Sequence, residues 1–215
     1  MSNHSSFSDA DDELLIKESV KGNKYALVNL IIRYKDWIFN VAISMTGNVF
    51  DAEDVTQEII IKIITRLSSF MFKSSFRTWV YRITVNYFHS MNKRYKERFF
   101  DSFERHRTFF EQLPDDRITG IAAIERKQII EETKTGCLLG MLLCLDREQR
   151  MVIILGGIFG INSKEASDIL EISEYNFRQK LSRARKELKN YMENNCGFVN
   201  KGNLCRCSKK AKATM

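Results

Sequence analysis

The sequence contains a single proline, Pro114, and only ten glycines among 215 residues. Because proline breaks helices and marks turns and edge strands, its scarcity argues against a β-sandwich and against a proline-rich disordered chain. The composition of 44% apolar and 28% charged residues is typical of a folded, mostly helical protein. We therefore expect an all-α fold, and the length allows two helical domains joined by a flexible linker.

Long apolar runs are also missing. The two longest begin at Cys137 (CLLGMLLCL) and Met151 (MVIILGGIFGI), and both are shorter than the roughly 20 residues that a membrane-spanning helix requires. The N-terminus, MSNHSSFSDADDE, has neither the basic start nor the apolar core of a secretory signal. We expect no membrane partner and a cytoplasmic location, in which the five cysteines remain reduced thiols.

Positive charge is in excess and is concentrated locally. The formal net charge is +7, and the segment from Lys73 to Arg98 contains Glu97 as its single acid. From Phe76 the sequence FRTWVYRITVNYFHSMNKRYKER alternates aromatic and basic side chains over continuous apolar spacing. This pattern predicts a helix that presents a cationic surface to a polyanion. The residues that we expect to pack in the core are Trp79, Val80 and Ile83.

An acidic stripe precedes the basic stretch. The sequence DAEDVTQEIIIKIITRL predicts a helix that Asp51 caps and that ends near Leu67. Its polar positions, at steps of three and four residues, are Asp51, Asp54, Gln57 and Glu58. Three interpretations remain open for this stripe: a solvated helix face, a docking surface for a basic partner, or a carboxylate metal site. Metal binding is the weakest of the three because no histidine or third ligand lies nearby in sequence.

The C-terminal half contains a helix-turn-helix pattern. After LDREQRMVIILGGIFG, in which Asp146 can cap a helix, the segment SKEASDILEISEYNFRQKLSRARKELKNYM predicts a helix from a Ser163 cap to Leu170. A turn from Glu171 to Ser173 and a longer basic helix follow. The residues predicted on the exposed face of that second helix can reach base edges or phosphates. They are Arg178, Gln179, Ser182, Arg183 and Lys186.

Taken in order, these motifs resemble a bacterial RNA polymerase sigma factor. The quoted residues DAEDVTQEI, FRTWVYRITVN with the following MNKR, and LDREQRMVIIL with SKEASDILEISEYNFRQKLSRARKEL are similar to the extracytoplasmic-function (ECF) group of the sigma-70 family. The resemblance implies sigma region 2 at residues 10–98, a linker at 99–134, sigma region 4 at 135–193, and a basic cysteine-containing tail at 194–215.

The resemblance also implies partners and site residues. Region 2 would open the minus-ten element and region 4 would read the minus-thirty-five element of promoter DNA. Core RNA polymerase would bind through its largest-subunit clamp and its flap, with the clamp contacting the acidic stripe; an anti-sigma protein is a further implied partner. The implied DNA-binding residues of region 2 are Phe70, Lys73, Phe76, Arg77, Arg82, Asn86, Lys93 and Arg94. Neither catalysis nor a cofactor is expected.

Two departures from the family pattern affect region 4. Glu171 stands where helix-turn-helix proteins usually have glycine, so a non-glycine residue must adopt a left-handed conformation or the turn must differ. Phe177 stands where the family favours valine, which could tilt the second helix.

The tail holds Cys196, Cys205 and Cys207 and looks like a cysteine-bearing tail found in one subgroup of these sigma factors. A thiolate metal or redox site is one interpretation, although the sequence offers no obvious fourth ligand; a flexible basic tail is the other. For the whole chain, the alternative to a sigma factor is a helix-turn-helix regulator that binds duplex DNA without polymerase.

Overall fold

The computed structural model describes residues 9–91, 102–114, 118, 120 and 122–214. These residues are helical and contain no β-strand, apart from one isolated bridge in the tail, which confirms the predicted all-α class. The chain divides into two compact units. The first comprises Met1–Tyr95 with Ile154–Arg178, and the second comprises Lys96–Ile153 with Gln179–Met215.

The first unit begins with four helices. They are α1 (Asp9–Val20), α2 (Lys24–Thr46), α3 (Val49–Arg66), which a 3-10 turn (Leu67–Ser69) extends, and α4 (Phe76–Ser90). Gly47 ends α2 in the left-handed region at φ 69°, a conformation that glycine adopts readily at helix C-termini. The core forms around Trp37, which is 1% exposed and stacks on Tyr81 with 3.5 Å between ring centroids.

A buried carboxylate joins the first two helices of this unit. Asp12 is 2% exposed and accepts hydrogen bonds from Arg33, at 2.8 Å, and from the hydroxyl of Tyr34. Burial, followed by the hydrogen bond to Asp12, raises the pKa of Tyr34, so Tyr34 remains the donor. Because a buried charge is tolerated only when it is paired, this triad fixes α1 against α2.

The second unit contains α5 (Phe103–Gln112), α6 (Ala123–Leu143) and α7 (Arg147–Ile153). The π-helical turn that follows α7 (Ile154–Ile158) is assigned to the first unit. The described part of the segment expected to be a flexible linker, 99–134, is therefore largely helical. Arg150 is 2% exposed and donates to the carbonyl oxygens of Leu142, Leu143 and Leu145 at 2.9–3.0 Å. A buried cation thus pairs with carbonyl oxygens at the C-terminal end of α6 and in the turn that follows it, where the helix dipole favours positive charge.

The remaining helices are α8 (Ser163–Leu170), α9 (Glu174–Asn195) and α10 (Cys207–Lys210), followed by a last 3-10 turn (Ala211–Thr214). Helix α9 begins in the first unit and continues in the second. No helix among the residues that the structure describes is both long and apolar enough to cross a membrane.

Candidate nucleic-acid interface

The acidic stripe lies on the surface of α3. Asp54, Gln57 and Glu58 are exposed and Asp51 is half-buried. The predicted cap is wrong by three residues: Asn48 is the N-cap and accepts from the backbone amide of Asp51 at 3.1 Å. Asp51 instead lies in the first turn, where its charge still complements the helix dipole. Glu58 accepts a hydrogen bond from the Tyr87 hydroxyl at 2.8 Å, which holds α4 against α3.

Two apolar side chains that the sequence pattern did not single out flank the stripe. Phe50 is 77% exposed and Ile61 is 59% exposed. Phe50, Asp54, Gln57 and Ile61 follow one another at steps of three or four residues, so they share one helix face. An exposed apolar patch beside charged residues is typical of a protein-binding surface. The four-residue step from Phe50 to Asp54 was the available sequence signal.

The loop before α4 buries two of the rings that the resemblance assigned to DNA. Phe70 is 8% and Phe76 is 3% exposed, and their ring centroids lie 5.4 Å apart. Trp79, which is half-buried rather than fully packed as predicted, lies 5.3 Å from Phe70 and 5.4 Å from Phe76. Phe70 and Phe76 are therefore core residues that stabilise the loop, because neither ring is accessible to a nucleobase.

Phe72 is the exposed aromatic ring of that loop. It is 48% exposed and adopts φ 56°, a left-handed conformation that is unusual for a bulky residue without a turn glycine. The ammonium group of Lys17 lies 6.0 Å from its ring centroid. Lys73, next in the chain, is exposed. The loop thus presents an aromatic ring and a cation side by side, whereas the family resemblance implied the neighbouring rings, Phe70 and Phe76.

The polar residues of α4 that the resemblance assigned to DNA differ in their exposure and contacts. Asn86 is exposed on α4. Arg77 donates to Glu165 at 2.7 Å and Arg82 donates to the carbonyl oxygen of Asp168 at 2.9 Å, so both contact α8. Val80 and Ile83 are buried, as predicted. The two remaining basic residues assigned to this surface, Lys93 and Arg94, lie outside the residues that the structure describes.

Helices α8 and α9 form the predicted helix-turn-helix. Asn162, one residue earlier than the expected Ser163, caps α8 by accepting from the amide of Glu165 at 3.0 Å. Glu171 adopts the left-handed conformation, with φ 55° and ψ 40°, so the turn keeps its geometry despite the missing glycine. Ser173 then accepts from the amide of Asn176 at 3.2 Å and starts α9. Phe177 is 1% exposed and is a core residue.

One face of α9 is basic and accessible. Each of the predicted base-reading residues is exposed: Arg178, Gln179, Ser182, Arg183 and Lys186. Arg178 pairs with Glu174 on the same helix at 2.9 Å. On another side of α9, Lys180 forms an ion pair with Glu148, and Glu187 accepts from Gln149 at 2.9 Å. These contacts with α7 leave the basic face open.

Cys196, Cys205 and Cys207 are half-buried and not in disulfides. Among the residues described by the structure, no group of three or more His, Cys, Asp or Glu side chains is arranged to hold a metal ion.

Comparison with known proteins assigns a family to this arrangement. The family model for sigma-70 region 2 matches residues 30–98, and the model for sigma-70 region 4 matches residues 135–188. The ECF RNA polymerase sigma factor SigW of Bacillus subtilis (strain 168) is 27% identical over 181 residues, which cover 81% of this chain and 92% of SigW. The chain belongs to the ECF group of the sigma-70 family.

A further relative of this sigma factor is also an ECF sigma factor, and a solved structure shares its fold. The ECF RNA polymerase sigma-E factor of Escherichia coli (strain K12) is 27% identical over 186 residues, covering 85% of this chain and 94% of the relative. In fold, this sigma factor is similar to CnrH, solved in complex with the cytosolic domain of CnrY, with a TM-score of 0.62 and 21% identity. That match covers 85% of this chain and 97% of CnrH.

Proposed function

We propose that this sigma factor binds core RNA polymerase, directs it to specific promoters and helps to melt the minus-ten region. The observation that carries the proposal is the presence, in one chain, of both sigma regions, with most of the acidic stripe of α3 and the predicted base-reading face of α9 exposed. A helix-turn-helix regulator that acts without polymerase would need neither the exposed stripe of α3 nor the strained loop before α4.

Docking on polymerase is assigned to the α3 face. Asp54 and Gln57 would contact basic side chains of the largest-subunit clamp, and Phe50 and Ile61 would add apolar contact at either end. Charges of opposite sign steer association and orient the partners, whereas burial of the apolar ends supplies binding free energy. Glu58 has a second role in this scheme, because its bond to Tyr87 keeps α3 and α4 in register.

Promoter opening is assigned to the loop from Phe70 to Ser75 and to α4. An unstacked nucleobase would stack on Phe72. Lys73, Asn86 and nearby basic side chains would contact the backbone of the same strand. Stacking of a base on an aromatic side chain contributes about 1–3 kcal/mol, which offsets part of the cost of unpairing. Opening would then follow from tighter binding of the open strand, so the function requires no catalytic residue.

Upstream recognition is assigned to the exposed face of α9. Arginine can donate two hydrogen bonds to guanine O6 and N7 in the major groove, and Arg178 and Arg183 are suited to this role. Gln179 and Ser182 would contact other base edges, and Lys186 would contact a phosphate. Region 4 would also contact the polymerase flap.

Regulation and location follow from the same function. An anti-sigma protein is the proposed regulatory partner, as membership of the family implies. The proposed location is the cytoplasm, because the polymerase and promoter DNA are there.

Reconstituted transcription tests the proposal. Purified chain is added to core polymerase and genomic fragments, and run-off transcripts are measured. We expect promoter-specific transcripts with the wild type, severalfold fewer with Asp54→Arg, and an unchanged yield with Glu132→Arg. The last variant makes the same charge reversal at an exposed position of α6.

Two results would contradict the proposal. Absence of any specific transcript, with footprinting of duplex DNA by the chain alone, would favour the polymerase-independent regulator. Equal recovery of wild type and Asp54→Arg on immobilised core polymerase would refute docking through α3.

A further inference from the structure

The C-terminal tail lines one side of an open cavity that contains several thiols. The cavity measures about 550 Å³ and lies entirely within the second unit. Its lining includes Cys196, Cys205 and Cys207 from the tail, Cys137 from α6 and His106 from α5. The fifth cysteine, Cys144, does not line it. Thiols that are far apart in the sequence are therefore grouped around one space.

Two of the tail thiols are backbone neighbours. Cys196 directly follows α9, and it forms an isolated parallel β-bridge with Cys205. Paired strands lie about 4.8 Å apart, which falls within the range of about 4.4–6.8 Å between Cα atoms that a disulfide requires. Formation of a bond between these two sulfurs therefore needs side-chain rotation rather than a rearrangement of the backbone.

Gly197 makes this close approach possible. A Cβ atom at this position would lie 2.0 Å from the carbonyl oxygen of Cys205 and 1.8 Å from Nη1 of Arg206. A side chain cannot be accommodated at such distances, and one of the obstacles is backbone. Glycine is thus required at position 197 for Cys196 and Cys205 to pair.

Hydrogen bonds fix the intervening turn. The Arg206 guanidinium donates to the carbonyl oxygens of Lys201, at 2.7 Å, and Cys205, at 2.9 Å. The side-chain amides of Asn200 and Asn203 both donate to the carbonyl oxygen of Glu193 in α9, at 3.1 and 2.9 Å. The turn is therefore attached to the end of α9, and the bridge between the two cysteines is preorganised.

We propose that Cys196 and Cys205 are an oxidation site at which a peroxide forms an intramolecular disulfide. One thiolate attacks the O–O bond of hydrogen peroxide, so that its sulfur becomes a sulfenic acid and the released hydroxide takes up a proton. The second thiolate then attacks that sulfur; the S–S bond forms and a second hydroxide leaves as water. In sum, two thiols and one peroxide give one disulfide and two waters.

Burial slows the oxidation of two further thiols of the cavity. Burial raises the pKa of Cys137, and nearby cysteines act in the same direction. Burial also raises the pKa of Cys207. Since the thiolate is the nucleophile, a thiol that stays protonated reacts slowly. The backbone bridge, in contrast, places Cys205 beside Cys196 and so provides the partner for a disulfide.

The oxidation would fasten the tail to the DNA-reading helix. Cys196 continues α9 directly, with its amide donating to the Met192 carbonyl oxygen at 2.8 Å. A covalent bond to Cys205 would hold the turn against this end of α9. Because Cys196 adjoins the end of α9, the disulfide would couple oxidising conditions to region 4. It would not contact the exposed face of α9 that would bind the promoter.

Peptide mapping tests the proposal, because trypsin separates the tail thiols. Cleavage after Lys189, Lys201, Arg206 and Lys209 puts Cys196, Cys205 and Cys207 on three different peptides, and Cys137 shares a fourth peptide with Cys144. The full-length chain is reduced with a chelator present, desalted, treated with equimolar hydrogen peroxide, alkylated and digested without reductant. We expect residues 190–201 linked to residues 202–206 as the main disulfide product.

Matched variants sharpen the test. Cys144→Ser should leave the yield of the linked peptides unchanged, and Cys205→Ser should abolish them. Gly197→Val retains every thiol but prevents the close approach, so its yield should fall severalfold. Preferential linkage of Cys196 to Cys207 or Cys137 would overturn the proposal, as would sulfinic acid without linkage. An equimolar metal ion in the chain purified without chelator, together with protection of the thiols, would overturn it in favour of a metal site.

Discussion

Nδ1 of His106 lies 2.7 Å from the hydroxyl oxygen of Tyr191, and Nε2 lies 3.2 Å from the carbonyl oxygen of Cys137. A carbonyl oxygen only accepts, so Nε2 carries the proton and Nδ1 accepts from Tyr191. The imidazole is 1% exposed, and burial lowers its pKa from 6.5 to about 4 although the bond to Cys137 acts in the opposite direction. This neutral histidine joins α5 to α6 and α9.

The first prediction is an acid sensitivity caused by His106. Because the folded pKa is lower than the unfolded one, the unfolded chain takes up a proton first as the pH falls. The contribution of the neutral histidine is intact above pH 6.5 and is lost as the pH falls towards 4. The lost free energy of unfolding is about 3 kcal/mol, from about 1.4 kcal/mol for each pH unit.

Urea unfolding across this pH range measures the effect. The difference in unfolding free energy between the wild type and His106→Gln should shrink by about 3 kcal/mol from pH 7.5 to pH 4, since glutamine does not titrate. His89→Gln, at an exposed position of α4, is the control and should follow the wild type. Parallel curves for wild type and His106→Gln would show that His106 has no such role.

The second prediction separates the rings of the loop before α4. Phe72→Ala should reduce promoter opening by about 1–3 kcal/mol and leave thermal stability nearly unchanged, because that ring is half-exposed. Phe70→Ala should instead destabilise the fold by about 3–5 kcal/mol. Permanganate reactivity of the minus-ten region reports opening and calorimetry reports stability. An unaltered opening with Phe72→Ala would remove Phe72 from the interface.

The third prediction concerns the basic face of α9. Arg178→Ala and Arg183→Ala should each weaken binding of the upstream element by about 1–3 kcal/mol and relax sequence preference at one position. Lys180→Ala removes the same charge on another side of the helix and should have a small effect on all sequences alike. The measurement is competition between matched and mismatched promoters by holoenzyme. Equal losses for all three variants would indicate a contribution of charge alone.

The fourth prediction uses the contact between Arg77 and Glu165. The two side chains are 40% and 22% exposed, so solvent screening leaves the pair worth about 0–1 kcal/mol. Arg77→Ala and Glu165→Ala should therefore lower the melting temperature by similar small amounts. Promoter opening should fall for Arg77→Ala alone if Arg77 also contacts DNA. Identical opening defects in the two variants would assign Arg77 a structural role.

The sequence predicted the helices well because helical periodicity is a local property. The acidic residues of α3 and the basic residues of α9 recur at three- and four-residue steps, and the structure leaves nearly all of them exposed. Glu171 shows the same principle: the C-cap that ends α8 takes the left-handed conformation, with φ 55° and ψ 40°, although its residue is not glycine. The caps at Asn48 and Asn162 were missed because several neighbouring side chains are able to cap.

Side-chain contacts between segments that are distant in the sequence could not be predicted from local patterns. Residue type does not distinguish Phe70, Phe72 and Phe76. Phe70 and Phe76 are buried because Trp79 of α4 packs against both rings and Tyr34 of α2 packs against Phe76. The helix α5 within the predicted linker likewise depends on Tyr191, 85 residues away. No local pattern encodes such partners.

The sequence by itself determined the all-α class, the order of the two sigma regions and the faces that carry charge, because these depend on residue type and helical period. The tertiary structure decided which aromatic rings are buried, what fixes α5, and that Cys196 meets Cys205. Those outcomes depend on packing between segments that the chain brings together only when it folds.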